Sequence, residues 1–284
     1  MSETIFLRLL ETEDKAAGLL ELARQADSRV FAINVSAFGQ VPGSPMAYWV
    51  RPTVLSVFQN SARMNFDARR GPSTCDDFRY LRLSWEVGQR EHGLGLWMPF
   101  AKGGAFSRYY ADVYMTVDWE PRRSTFLGFF GRPGRWVERP ESLDCFFRPG
   151  LTWPLRTQGG LSLRVLPGGC IFSHKGPTAF VADDQPNTLL ALLAVTNSAA
   201  FRALVALQMA FGSYEVGVIQ NTPVPDLSPD DEALLAGLAK TSWSLKRRLD
   251  TVNETSHALL LPALLSVSGA SLTCLLYTSP SPRD

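Results

Sequence analysis

Between Arg63 and Val181 the chain never runs far without a glycine or a proline. The breaks fall at Gly71-Pro72, Gly103-Gly104, Pro133-Gly134, Pro149-Gly150, Gly159-Gly160 and Pro167-Gly168-Gly169. The runs between them are short and rich in aromatic and β-branched residues. Proline removes a backbone donor and glycine favours turns, so no long helix fits this stretch. The pattern predicts a twisted, mainly antiparallel β region with long loops.

The flanks read differently. Thr4 to Leu9 (TIFLRL) has the composition of a buried strand. Glu11 to Asp27 carries Ala16, Leu19, Leu20 and Ala23 at the spacing of an amphipathic helix, and Arg29 to Val35 reads as a second strand. Val41 to Val50 is a turn-rich connector, and Pro52 to Phe58 is expected to form a short helix. Asn187 to Thr196 and Ser198 to Phe211 are apolar helices, with Asn197 between them as a cap. Ser228-Pro229-Asp230-Asp231 opens a further helix with a cap, a first-turn proline and acids at the positive dipole end, expected to run to about His257.

The expected class is therefore α+β: a β-rich middle with long loops, between an N-terminal strand-helix-strand and a C-terminal helical segment. Expected boundaries are 1–60, 61–185 and 186–273. Residues 274–284 (CLLYTSPSPRD) look like the in-frame translation of a transposon-type sequencing adaptor and are set aside as an artefact. A strand immediately after Met1 suggests an upstream domain cut away, so neither end is expected to be a natural boundary.

An apolar share of 45% suffices for ordinary cores, and no uninterrupted apolar run is long enough to span a bilayer. Cys75, Cys145, Cys170 and Cys274 form no C-x-x-C pair, which argues against zinc and dithiol chemistry and suits a soluble protein of a reducing cytoplasm. The formal charge is only +1, yet Arg122 to Arg164 holds eight arginines (122, 123, 132, 135, 139, 148, 156 and 164) against three acids, Glu138, Glu141 and Asp144. Such a local excess of five positive charges suits phosphate, although arginine-rich usage also follows from a GC-rich genome.

Five separated segments carry a resemblance. They are Pro42 to Val50 (PGSPMAYWV); Arg70 to Arg82 (RGPSTCDDFRYLR); Pro99 to Gly104 with Arg108-Tyr109-Tyr110; Gly150-Leu151-Thr152-Trp153 leading to Leu163-Arg164-Val165 and Gly169 to Phe172; and Tyr214 to Val224 (YEVGVIQNTPV). In this order, over Thr4 to Leu227, they resemble the C-terminal half of adenine-specific DNA methyltransferases of the BREX phage-defence family (the PglX type) and related fused restriction enzyme–methyltransferases. Cys75 departs from the pattern, standing where the family's loop usually has a glycine.

The resemblance implies that 61–185 is a target-recognition domain for double-stranded DNA. It also implies S-adenosylmethionine as cofactor of the intact enzyme with none bound by this fragment, a missing N-terminal methyltransferase domain, and other phage-defence proteins as further partners. In such an enzyme the duplex is held by its backbone, read at base edges, and opened so that the target adenine is extruded into a pocket. Arg69, Arg70 and Arg79 suit phosphates, as does Arg82, while Ser73 and Thr74 suit phosphates or base edges. The alternative for this loop is a polar hairpin whose arginines pair with Asp67, Asp76 and Asp77 in solvent. Lys102 before Gly103-Gly104 suits a phosphate clamp, with Arg108 nearby; Thr152, Arg156 and Arg164 flank the Gly159-Gly160 turn, and Lys175 adds a further backbone contact. Trp153 is expected in a core. His92, His174 and His257 are too few and scattered for a catalytic triad or a zinc site.

Neither a glycine-rich methyl-donor turn nor an Asn/Asp-Pro-Pro-Tyr/Phe tetrapeptide is present. Asn221-Thr222-Pro223-Val224 imitates the latter but lacks its second proline and aromatic platform. The fragment alone is thus expected to be inactive. Two other classes stay open: a stand-alone nucleic-acid-binding module, and a protein-interaction domain without enzymatic activity.

Overall fold

The computed structural model describes residues 3–24, 27–60, 65–74, 76–87, 97–119, 142–209, 212–262 and 265. At the N-terminus β1 (Thr4–Leu7) and β2 (Val30–Ile33) pair antiparallel, Thr4 opposite Ile33, with α1 (Lys15–Arg24) between them. The Asp14 carboxylate accepts from the backbone of Ala16 and Ala17, which sets the start of α1 later than the apolar spacing suggested. β1 is not the buried strand its composition predicts. Among the described residues its one strand neighbour is β2, and Ile5 remains 66% exposed. The connector packs here through Tyr48, which stacks on Phe6 at 4.9 Å, while Val41 and Ala47 share a small core with Leu55 and Phe58. Those last two belong to α2 (Pro52–Leu55) and α3 (Val57–Asn60), two short helices where one was expected.

Beyond them come β3 (Phe66–Arg69), the one-turn α4 (Asp77–Tyr80), β4 (Leu81–Leu83), β5 (Trp97–Ala101), β6 (Met115–Asp118), β7 (Gly150–Thr152), β8 (Arg164–Leu166), β9 (Ile171–Phe172) and β10 (Thr178–Val181). They build two four-stranded sheets, ordered β3-β10-β7-β8 and β4-β6-β5-β9. All pairings are antiparallel except β5 with β9, where Phe100 and Ala101 lie opposite Ile171 and Phe172. The turn between β9 and β10 carries the chain from one sheet to the other, with Phe172 and Phe180 meeting at 5.4 Å across the change.

Among the described residues four α-helices follow: α5 (Pro186–Thr196), α6 (Ala199–Gln208), α7 (Val216–Asn221) and α8 (Pro229–Leu249). α5 is apolar on nearly every side because it lies between the first sheet and α8. Its Leu192 and Leu193 share one core with Leu151, Trp153, Leu163 and Ala179 of the sheet and Phe201, Val205 and Ile219 of the later helices. Trp153 is fully buried, as expected, and its indole donates to the Tyr214 carbonyl at 2.8 Å.

Asn197 ends α5 rather than opening α6, whose cap is Ser198. The Asn197 amide also pairs both ways with the Leu163 backbone, accepting at 3.2 Å and donating at 2.9 Å, as a neighbouring strand would. α8 starts at Ser228 as read, but stops at Leu249 instead of near His257. There the Asn253 side chain takes the Thr255 amide and hydroxyl, a local turn that competes with helix. Among the described residues no single helix is long and apolar enough to cross a membrane; α5 and α6 meet at a 69° bend.

Candidate nucleic-acid interface

Three segments close on one another at the end of β5 and β9: residues 70–74 with the start of α4, 102–105 and 173–176. Glycines permit the approach. A side chain at Gly71 would collide with the Phe172 carbonyl oxygen, and one at Gly103, where φ is +78°, with the Lys175 carbonyl oxygen. Backbone bonds then tie the loops: Ser173 N–H to the Ala101 carbonyl at 2.9 Å, His174 N–H to Pro72 at 3.2 Å, and Leu155 N–H to Lys175 at 3.0 Å.

Side chains complete the clasp. The Asp77 carboxylate accepts from the Thr74 hydroxyl and pairs with the Lys102 ammonium. Partial burial pushes the Asp77 carboxyl upward, but Lys102, Thr74 and the nearby Lys175 together hold it below the ordinary carboxylate value. From behind, Arg164 donates to the carbonyls of Gly103 and Ala105. It is 5% exposed with no carboxylate partner among the described residues, and burial lowers its pKa to about 10.

The sequence-derived residues therefore fall into two groups. Arg70, Arg79, Arg156 and Lys175 are exposed, and Arg108 is half-buried with its guanidinium over the Phe106 ring. With Arg82, none of these forms an ion pair with another described residue. Arg69 does pair, with Asp67 at 2.7 Å, as the polar-hairpin alternative anticipates; Asp76 instead caps α4. Ser73 is half-buried, and Lys102, largely covered, is engaged by Asp77.

Thr74, Thr152 and Arg164 point inward. The Thr152 hydroxyl donates to the carbonyls of Gly176 and Pro177 at 3.2 and 3.0 Å. Thr152 and Arg164, expected as DNA contacts flanking the Gly159-Gly160 turn, instead satisfy carbonyls that the glycine turns leave behind. Arg156 faces outward, its Nε donating to the Ser213 hydroxyl at 2.6 Å.

Of the remaining arginines between 122 and 164, Arg148 is engaged with Asp184 at 2.8 Å, and positions 122, 123, 132, 135 and 139 lie outside the described residues, as does Cys75. No group of three metal-ligating side chains occurs among the described residues. Sequence reasoning missed Asp77 as the clasp and Phe78, which is 95% exposed beside it. The signal for the second was an aromatic residue set between acids and arginine in Asp76-Asp77-Phe78-Arg79.

No protein-family model matches the chain. It is 26% identical over 254 residues to the adenine-specific methyltransferase PglX of Lacticaseibacillus casei (strain Zhang), covering 80% of this chain and 21% of that protein. It is 24% identical over 193 residues to the adenine-specific methyltransferase BrxX of Escherichia coli O9:H4 (strain HS), covering 66% of this chain and 15% of that protein. The chain thus spans about a fifth of the length of the first of these relatives and less of the second. Over most of its length, the chain is similar to a part of two adenine-specific methyltransferases, PglX and BrxX.

Proposed function

We propose that this chain is the DNA target-recognition part of a site-specific, S-adenosylmethionine-dependent N6-adenine methyltransferase of the phage-defence or restriction type. The observation that carries the reading is that Arg70 and Lys175 of the three-loop clasp, and Arg79 of the adjoining α4, are exposed with no ion-pair partner among the described residues, on a chain similar to adenine-specific methyltransferases. Unpaired guanidinium and ammonium groups suit phosphate, and the frame behind them fixes where they point. In this account Lys175, Arg70 and Arg156 hold the DNA backbone. Arg79 of α4 and Ser73 of the preceding loop are the candidates to reach base edges.

Methyl transfer is assigned to sequence outside this chain. In Asn221 to Val224, the nearest imitation of the catalytic tetrapeptide, the Thr222 hydroxyl donates to the Val218 carbonyl at 2.7 Å and Val224 is buried in the main core. When bound elsewhere in the intact enzyme, S-adenosylmethionine supplies the methyl group.

The test is to incubate the purified chain with mixed-sequence duplex DNA and radiolabelled S-adenosylmethionine. Retarded DNA without label incorporation is expected. Label in adenine would overturn the assignment of catalysis elsewhere, and absence of any retardation would overturn the DNA reading.

A further inference from the structure

Helix α8 has two faces. Ala236 and Ala239 are buried and Trp243 is half-buried, so one side packs on the fold. Leu234, Leu238, Leu245 and Leu249 lie on the other side, each more than half exposed. At about 3.6 residues per turn, their spacing keeps all four within about 60° of the helix circumference over about 22 Å of its length. Exposed leucines scattered singly are ordinary, whereas an aligned row on one long helix marks a surface for another element. Nothing in the row resists burial. Thr241 and Ser242 stand at its middle, and their hydroxyls already donate to the Gly237 and Leu238 carbonyls at 3.0 and 2.9 Å, so covering them leaves no donor unmet. Beside the row, Gly237 has nothing within 4 Å of where a Cβ would stand, which lets a second backbone come close.

Two observations say what covers it. The leucine spacing is the same read in either direction, so a second α8 laid antiparallel sets Leu234 against Leu249 and Leu238 against Leu245, with Thr241 and Ser242 at the crossing. Charge is complementary in that same orientation. The first turn carries Asp230, Asp231 and Glu232, and the last carries Lys246, Arg247 and Arg248. Glu232 is bonded to Thr188 and Arg247 lies over the Trp243 ring, which leaves two acids at one end and two bases at the other. Past the last turn, Asp250 accepts from the Ser256 hydroxyl, and Glu254 stands outside the helix. Asp230 and Arg248 are about five full turns apart, on the same flank of the row. A twofold axis brings like flanks together, so Asp230 of each copy lies toward Arg248 of the other. A parallel pair would set acid on acid and base on base.

We propose that α8 is a self-association surface through which two copies of this chain form an antiparallel helix pair about a twofold axis. A contact between two such helices is smaller than the roughly 800 Å² per partner of a standard interface, so the dimer forms in the micromolar range. The association is independent of the DNA reading, and its test omits DNA.

Sedimentation velocity of the full chain should show monomer at low micromolar concentration, shifting to dimer as the concentration rises. Leu238→Lys, at an exposed position, should abolish the dimer and leave the thermal melting curve of the monomer unchanged. Asp230→Lys and Arg248→Asp should each weaken dimerisation by about tenfold, the order expected when two exposed charge pairs are reversed, and the double reversal should restore it. Monomer at every concentration, or a dimer that Leu238→Lys leaves intact, would overturn the proposal. A dimer lost in Leu238→Lys yet unmoved by either charge reversal would overturn the antiparallel arrangement.

Discussion

Arg164 and Lys175 show how two cations a few residues apart take opposite roles. Both were legible as positive charges beside glycine turns, but composition carries no information about which way a side chain points. Arg164 turns inward because the sharp turn at Gly103 leaves carbonyls that need donors, and its buried charge is stabilised by them. Lys175 keeps its ammonium in solvent and lends its carbonyl to Leu155. A paired comparison separates the roles. Arg164→Ala should cost about 2 kcal/mol of stability in denaturant titration, since charged hydrogen bonds contribute about that much, while leaving the salt slope of DNA binding unchanged. Lys175→Ala should leave stability unchanged and make the slope shallower by about 0.9. The reverse pattern would exchange the two roles.

At the scale of elements, glycine and proline made the short strands of the middle region readable, since each break is local chemistry. Strand order was not readable: β3 pairs with β10 from the far end of the region, and β5 with β9 in parallel, through contacts no local pattern records. The end of α8 was missed for a related reason. His257 looked like the close of a long helix, yet it lies in the following segment, with Nδ1 3.1 Å from both Asp112 oxygens.

The Asp112 hydrogen bond raises the His257 pKa above its ordinary 6.5, against a smaller opposing effect of burial. The sign follows: the contribution is full below about 6.5 and fades as pH rises through the higher folded value. Amide exchange in residues 253–262 should therefore quicken, after correction for its intrinsic pH dependence, between about pH 5 and about pH 8. His257→Ala should remove that change; an unchanged pH response in the variant would assign it elsewhere.

At the scale of the whole molecule, a formal charge of +1 conceals a division of labour. Arg29, Arg69 and Arg148 are engaged by acids, whereas Arg70, Arg79, Arg156 and Lys175 face outward around or beside the clasp. The central claim is that these outward groups meet phosphate. The most direct measurement is the affinity of the chain for a mixed-sequence duplex, by fluorescence anisotropy, between about 50 and about 200 mM salt. About four phosphate contacts predict a loss of about a hundredfold across that range, and the Arg70→Ala, Lys175→Ala double variant should flatten the slope by about 1.8. An affinity that does not change with salt, or a double variant whose slope matches the parent's, would contradict the account.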